Sequence, residues 1–283
     1  MAWALSTTSA RAAAMMPSAA FGRRFATTVV AIPVLAWVIM GAPSWLFPLL
    51  IVVVAAAATH ELTALFDRAG HATLGPVAVV LGALVTASFA FRGATVLALV
   101  LAAMVAVASP LWRRGALSIE PAATALLAFV YVNCMLGHAV WLYTLPQGPW
   151  LVLLLLGTTW VGETAAYLAG SSLGRHKLAP VISPNKTLEG AAAQVIASVA
   201  AAVALGMWLL PEASALFCAG AGALVGVIGQ VGDLAESAIK RAAKAKDAGG
   251  LIPGHGGMLD RVDSLLFNLP AFFYYVMLIG GRA

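Results

Sequence analysis

The sequence predicts an all-α polytopic integral membrane protein with about nine transmembrane helices, and three observations carry that expectation. Of 283 residues, 62% are hydrophobic and only 10% charged, and the mean hydropathy of +0.96 lies far above that of a water-soluble domain. Apolar runs of about 17 to 25 residues, the length that crosses ~30 Å of hydrocarbon, fall near 26–42, 45–66, 74–91, 94–109, 121–143, 149–170, 190–209, 213–235 and 264–281. The charges also sort by side. With the N-terminus in the cytoplasm, the inner face holds Arg11, Arg23, Arg24, Arg68, Arg113, Arg114, Arg175, Lys177, Lys186, Lys240, Arg241, Lys244, Lys246 and Arg261, fourteen of the sixteen basic residues. Only Arg92 and Arg282 fall outside, a partition that follows the positive-inside rule and that a wrong count would scramble. The net charge of +5 therefore reflects topology and calls for no nucleic-acid partner.

Taken in order, residues 1–25 read as a cytoplasmic arm, with Arg but no acid and no long apolar core. A transmembrane region, 26–120, follows. Its notable polar pair is His60 and Glu61; a charged, unpaired carboxylate in a membrane costs at least ~2.5 to 3.5 kcal/mol, so Glu61 belongs near the surface or against a partner. The basic loop 110–120 divides this region from 121–283, the C-terminal transmembrane catalytic region. Asn133 and His138 read as hydrogen bonders in helix packing, and Cys134 and Cys218 as small buried hydrophobes without metal-ligand spacing.

Glu163 and Tyr167 stand one helical turn apart and share a face. The inner loop from Arg175 to Gly190 adds Lys177, Ser183, Lys186 and Thr187 in a Ser-Pro-Asn-Lys-Thr run that topology alone does not explain. Gln194 is the one strongly polar side chain of the seventh segment. In the eighth, Gly222 and Gly226 have the spacing that lets helices approach closely, in the core or in a homodimer.

From Gln230 to Asp263 the chain concentrates charge and glycine, and this stretch is the expected active site. No Gly or Pro interrupts Asp233 to Ala248, so a helix there places Asp233, Ser237, Lys240 and Lys244 within roughly 60° of one another. Five glycines and Pro253 between Gly249 and Gly257 end that helix in a loop whose backbone N–H groups can face an anion. Asp233, Asp260 and Asp263 are hard oxygen donors suited to Mg²⁺, and no Cys/His pair has zinc spacing. Lys240, Arg241, Lys244, Lys246 and Arg261 suit a phosphate chain bound with such an ion. These parts serve phosphoryl or nucleotidyl transfer, although no Walker A motif occurs. The expected substrates are a soluble polyanion such as a nucleotide and a membrane lipid.

Ser237-Ala-Ile-Lys240-Arg241, then Lys246-Asp247, Ile252-Pro253-Gly254-His255-Gly256-Gly257 and Asp260-Arg261-Val262-Asp263 together resemble the signature of the phosphatidate cytidylyltransferases. The runs Gly232–Ser237 and His176–Gly190 are similar to that family too. The resemblance implies transfer of the cytidylyl group from CTP to phosphatidate at the cytoplasmic face of the inner cell membrane, giving CDP-diacylglycerol and pyrophosphate. It implies Mg²⁺ held by Asp233 and Asp260, with a monovalent cation such as K⁺ nearby. It places Lys240, Arg241, Lys246 and Arg261 on phosphates and the Gly254–Gly257 backbone on the triphosphate or leaving pyrophosphate. Glu163, Tyr167, Lys177, Ser183, Lys186, Thr187, Ser237, Asp247, Pro253 and Asp263 complete the expected substrate-binding set. His255 reads as a phosphate hydrogen-bond donor or loop brace and not as a base, because phosphatidate is already anionic. Glu163 departs from the family's usual Asp by one methylene. Two rival readings are a CTP-dependent lipid-alcohol kinase and a transporter without chemistry.

Overall fold

The computed structural model describes residues 32–91, 93–112, 118–251 and 256–280. Its helices are α1 (32–40), α2 (Leu46–Arg68), α3 (Pro76–Ser88), α4 (Ala94–Ala108), α5 (Glu120–Tyr143), α6 (Gly148–Leu173), α7 (Leu188–Leu209), α8 (Ala215–Ala242) and α9 (Leu259–Ile279). A two-stranded antiparallel hairpin, β1 (Lys177–Ala179) and β2 (Ser183–Thr187), joins α6 to α7 and is the only sheet among the described residues. Local sequence sets several starts. Pro76, Pro121 and Pro149 occupy first-turn positions, where a missing N–H does no harm. The hydroxyls of Thr187 and Ser214 accept from Gly190 N and Phe217 N, capping α7 and α8.

Among the described residues, seven helices are long and apolar enough to cross a membrane, not nine. The expected span 74–91 shrinks to the 13 residues of α3, which rise only about 20 Å. Gly75, at φ 47°, breaks the chain before Pro76, and Phe89 to Phe91 close a turn after it, so apolar composition overstates the helix. Of the expected span 26–42, the helix covers 32–40, and 26–31 lie outside the described residues.

One core runs through both halves, joining Phe47 and Leu62 to Leu136, Leu155, Leu259, Leu266 and Phe272. A smaller one packs Leu74, Ala78, Val85 and Ala106 around Phe129. Lipid removes the hydrophobic drive between helices, so close packing and polar contacts must hold the bundle. Asn133, in the π-helical stretch Phe129–Cys134 of α5, donates to Thr59 Oγ1 (2.9 Å) and accepts from Thr86 Oγ1 (3.0 Å), tying α5 to α2 and α3. Gly222 and Gly226 face α7 of the same chain, so the core takes the close contact that the sequence left open between core and homodimer. Gly229 and Gly232, on the same helix, press against α9 at Asn268 and Asp263 O.

A Cβ at Gly222 would lie 2.6 Å from Val199 Cα and 2.9 Å from Ala202 Cβ. Gly222→Ala should therefore destabilise the protein by about 1 to 3 kcal/mol, seen as a lower Tm in detergent. An unchanged Tm would contradict the α7–α8 contact.

Candidate active site

Five elements bring their polar groups to one end of the bundle: the ends of α2, α6 and α8, the start of α9 and the hairpin. The hairpin is registered with Lys177 opposite Thr187 and Ala179 opposite Ser183. Its ends are tied by Leu188 N donating to His176 O (2.9 Å) and by His176 Nδ1 meeting Glu189 Oε1 at 2.7 Å. Arg241 Nε donates to Ile182 O (3.3 Å) near the tip, bracing the hairpin against α8.

Helical spacing then orders the charges. On α8, Ser237 Oγ donates to Asp233 Oδ1 (3.4 Å), and Glu236 and Lys240 pair one turn apart at 2.8 Å. Lys240 Nζ also reaches Asp260 Oδ1 of α9 at 2.7 Å, and Lys186 Nζ of β2 lies 2.6 Å from Asp233 Oδ2. Lysines thus bind α8 to α9 and to the hairpin. Glu236 is fully buried and Lys240 only 12% exposed.

The structure corrects the expected extent of this helix. α8 ends at Ala242, and Lys244 takes a left-handed φ of 55°, so it is exposed and leaves the face shared by Asp233, Ser237 and Lys240. The cause is tertiary. Ala248 is buried and its N–H donates to both Asp260 oxygens (3.2 and 3.3 Å), which requires the chain to turn back toward α9 before helix propensity is exhausted. The turn closes with Ala245 N donating to Lys240 O and Arg241 Nη1 to Ala245 O.

Asp260 accepts a further N–H from Gly257 (3.1 Å), and Gly256 before it adopts φ 84°, the region that favours glycine. Pro253, Gly254 and His255 lie outside the described residues. Beside this turn sits Glu61, only 3% exposed, accepting from Leu251 N (3.2 Å) and Leu259 N (2.9 Å). Arg68 Nη2 adds a 2.6 Å bond to Ala248 O.

A cavity of about 550 Å³ opens between α6, the hairpin, α7 and α8, lined by Glu163, Tyr167, Lys177, Lys186, Thr187 and Asp233, with Gln194 and Gln230 at its base. Glu163 lies within electrostatic reach of Asp233, Lys186 and Arg261. Asp263 is coupled to Asp233, Glu236 and Glu163. Other expected residues stand apart from the cavity. Ser183 pairs with Ala179 in the hairpin, Arg241 holds backbone carbonyls, Lys246 and Asp247 are exposed in the turn after α8, and Arg261 is exposed at the start of α9.

Glu61, Glu236 and Tyr131 were not among the expected site residues. The i,i+4 spacing of Glu236 and Lys240 could have marked the second; no local pattern marks Tyr131, whose hydroxyl lies buried and coupled to Glu236, Asp263 and Asp233. Among the described residues, no three His, Cys, Asp or Glu side chains converge to hold a metal ion, and Asp233 and Asp260 each face a lysine. Acids nevertheless exceed bases here: Glu163, Asp233, Glu236, Asp260 and Asp263 stand against Lys177, Lys186, Lys240 and Arg261. Buried Glu236 Oε1 has no hydrogen-bond partner among the described residues. Hard donors with an acid excess suit a divalent cation in charge, once a lysine is drawn away.

A bundle with seven helices long and apolar enough to cross a membrane, and with lysines and carboxylates interleaved at one end beside a cavity, is that of a multi-pass membrane protein. Residues 22–279 match the Cytidylyltransferase family, and the chain belongs to it. It is similar to the protein YnbB of Escherichia coli (strain K12), 47% identical over 146 residues, covering 50% of this chain and 49% of that one. It is also similar to proteins named phosphatidate cytidylyltransferase. That of Staphylococcus aureus (strain COL) is 38% identical over 153 residues, and that of Staphylococcus haemolyticus (strain JCSC1435) 37% over 161. In both, 54% of this chain and 58% of the relative are covered, so the chain spans about half the length of the curated relatives it matches.

Removing Lys240 leaves the buried Glu236 and the partly buried Asp260 without their cation, a loss of roughly 3 to 5 kcal/mol. Lys240→Met should lower Tm sharply, and adding Glu236→Gln should recover part of the loss, with a coupling of about 0.5 to 3 kcal/mol. Strict additivity in thermal unfolding would mean that the two side chains do not share a charge.

Proposed function

We propose that this protein transfers the cytidylyl group of CTP to phosphatidate, forming CDP-diacylglycerol and pyrophosphate for phospholipid synthesis. The observation that carries this reading is the cavity. Lys177 and Lys186 line it, and beside it α6 exposes Trp160, Val161, Tyr167, Leu168 and Leu173. Cationic head groups beside an apolar flank fit an anionic lipid that keeps its chains in the bilayer. The names of the staphylococcal relatives point the same way.

In this reading an anionic oxygen of phosphatidate attacks the α-phosphorus of CTP. A new P–O bond forms as the bond from that phosphorus to the bridging oxygen of the β-phosphate breaks, and pyrophosphate leaves with the electron pair. No proton needs removing. The chain's task is to offset repulsion between two polyanions and to hold them in line. Lys186 and Lys240 already bind carboxylates, so an arriving phosphate replaces one anion by another instead of dehydrating a free ammonium. Asp233 and Asp260, released in part, would hold Mg²⁺, which supplies charge neutralisation of the triphosphate when bound. A nearby K⁺ is part of the same proposal. The site is read as facing the cytoplasm, the inner cell membrane being the chain's location.

Purified protein given CTP, Mg²⁺ and phosphatidate in detergent should yield CDP-diacylglycerol and one pyrophosphate per turnover. Phosphorylated lipid with CDP would replace this reading by a kinase, and absence of any product would leave the transporter. Asp260→Asn should abolish turnover in protein that still inserts and purifies. Glu163→Gln should lose far more activity than Glu163→Asp; equal small losses would make that carboxylate structural.

A further inference from the structure

The glycine loop is held from outside the helices that carry the site. Glu61 stands on α2, nearly two hundred positions earlier, and its two carboxylate oxygens accept from Leu251 N on one arm of the loop and Leu259 N on the other. Asp260 does the same one step along, accepting from Ala248 N on the first arm and Gly257 N on the second. Two carboxylates therefore take four backbone N–H groups and close the arms against each other. Arg68, two turns after Glu61 on α2, grips Ala248 O from the same side.

The glycines fit this device. A Cβ built on Gly249 would fall onto the Glu61 side chain, 2.7 Å from Cγ, and one on Gly257 would fall 2.7 Å from Glu61 Oε2. Gly249 has no left-handed φ, so conformation does not demand glycine there; room for the carboxylate does. We infer that Glu61 is a positioning residue, which holds both arms of the loop and through them sets Asp260 against Lys240. The inference rests on the cytidylyl-transfer reading only for the reaction in which the consequence is measured.

A carboxylate is required, because it accepts at both oxygens, whereas an amide turns a donor toward one of the two N–H groups. Aspartate, one methylene shorter, reaches one arm only. The loss should appear in kcat, since the displaced group is Asp260 and not the lipid-facing wall of the cavity.

The test combines kinetics with hydrogen exchange on the full-length protein in detergent. Glu61→Gln should lower kcat roughly tenfold or more, as loss of a supporting hydrogen-bond partner does at other sites, with KM for phosphatidate unchanged and Glu61→Asp intermediate. In the same variant, without substrate, the amides of Leu251 and Leu259 should exchange several-fold faster while the rest of α2 keeps its protection. Unchanged exchange at both amides, or a general loss across α2, overturns the inference. The exchange arm needs no turnover, so an inactive wild type would count against the cytidylyl-transfer reading alone. Should the Glu61 variants fail to fold, Gly249→Ala decides. It should reproduce the local exchange and the fall in kcat by pushing the carboxylate aside, and normal values of both would overturn the proposal.

Discussion

A single ammonium group, that of Lys240, stands between two carboxylates at the end of an otherwise apolar bundle, and most of the local architecture follows from keeping it there. Glu236 beneath it is fully buried, a placement tolerable only because the cation is one turn away. Asp260 on the far side draws α9 against α8, where Gly229 and Gly232 allow the helices to touch. Satisfying the remaining lone pairs of Asp260 then brings Ala248 N and Gly257 N together, which ends α8 early. Glu61 and Arg68 complete the closure from α2, so the first region of the chain is part of the site's support.

How much of this the sequence disclosed depends on whether the cause is local. Hydropathy located every helix, and the helical wheel put Asp233, Ser237 and Lys240 on one face, because composition and a 3.6-residue period are properties of short stretches. The turn after Ala242 was not legible, since nothing between Asp233 and Ala248 breaks a helix; a hydrogen bond to a residue on another helix does. The expected span 74–91 is short for a related reason: Gly75 and the turn at Phe89 cut an apolar run whose hydropathy alone reads as a full span. Glu61 is expected near the surface or against a partner, and it does face one; the partners are backbone amides near residue 250, which side-chain types cannot announce. The glycines carried half of that message. They announce a loop with N–H groups open to an anion, and at Gly249 the residue is small because Glu61 occupies the space a Cβ would need.

Lys186 and Lys240 already hold carboxylates, so in the proposed reaction phosphate binding would be an exchange of anions within a preformed frame. Lys186 and Asp233 line the cavity, while Lys240 and Asp260 pair where α8 meets α9. Such an arrangement keeps cations oriented before substrate arrives and limits reorganisation during the reaction. In the proposed reaction the acid excess that remains would suit a divalent ion arriving with the nucleotide. In the same proposal the exposed apolar face of α6 would give the lipid a route that stays within the bilayer.

The central claim is that the bond made and broken lies at the α-phosphorus of CTP, with pyrophosphate as the leaving group. Isotope exchange tests it most directly: purified protein is incubated with labelled pyrophosphate, CDP-diacylglycerol and Mg²⁺, and label is sought in CTP. Transfer at the α-phosphorus predicts labelled CTP that forms only when CDP-diacylglycerol is present and that disappears in Asp260→Asn. No label in CTP from a protein that still consumes CTP would contradict the account.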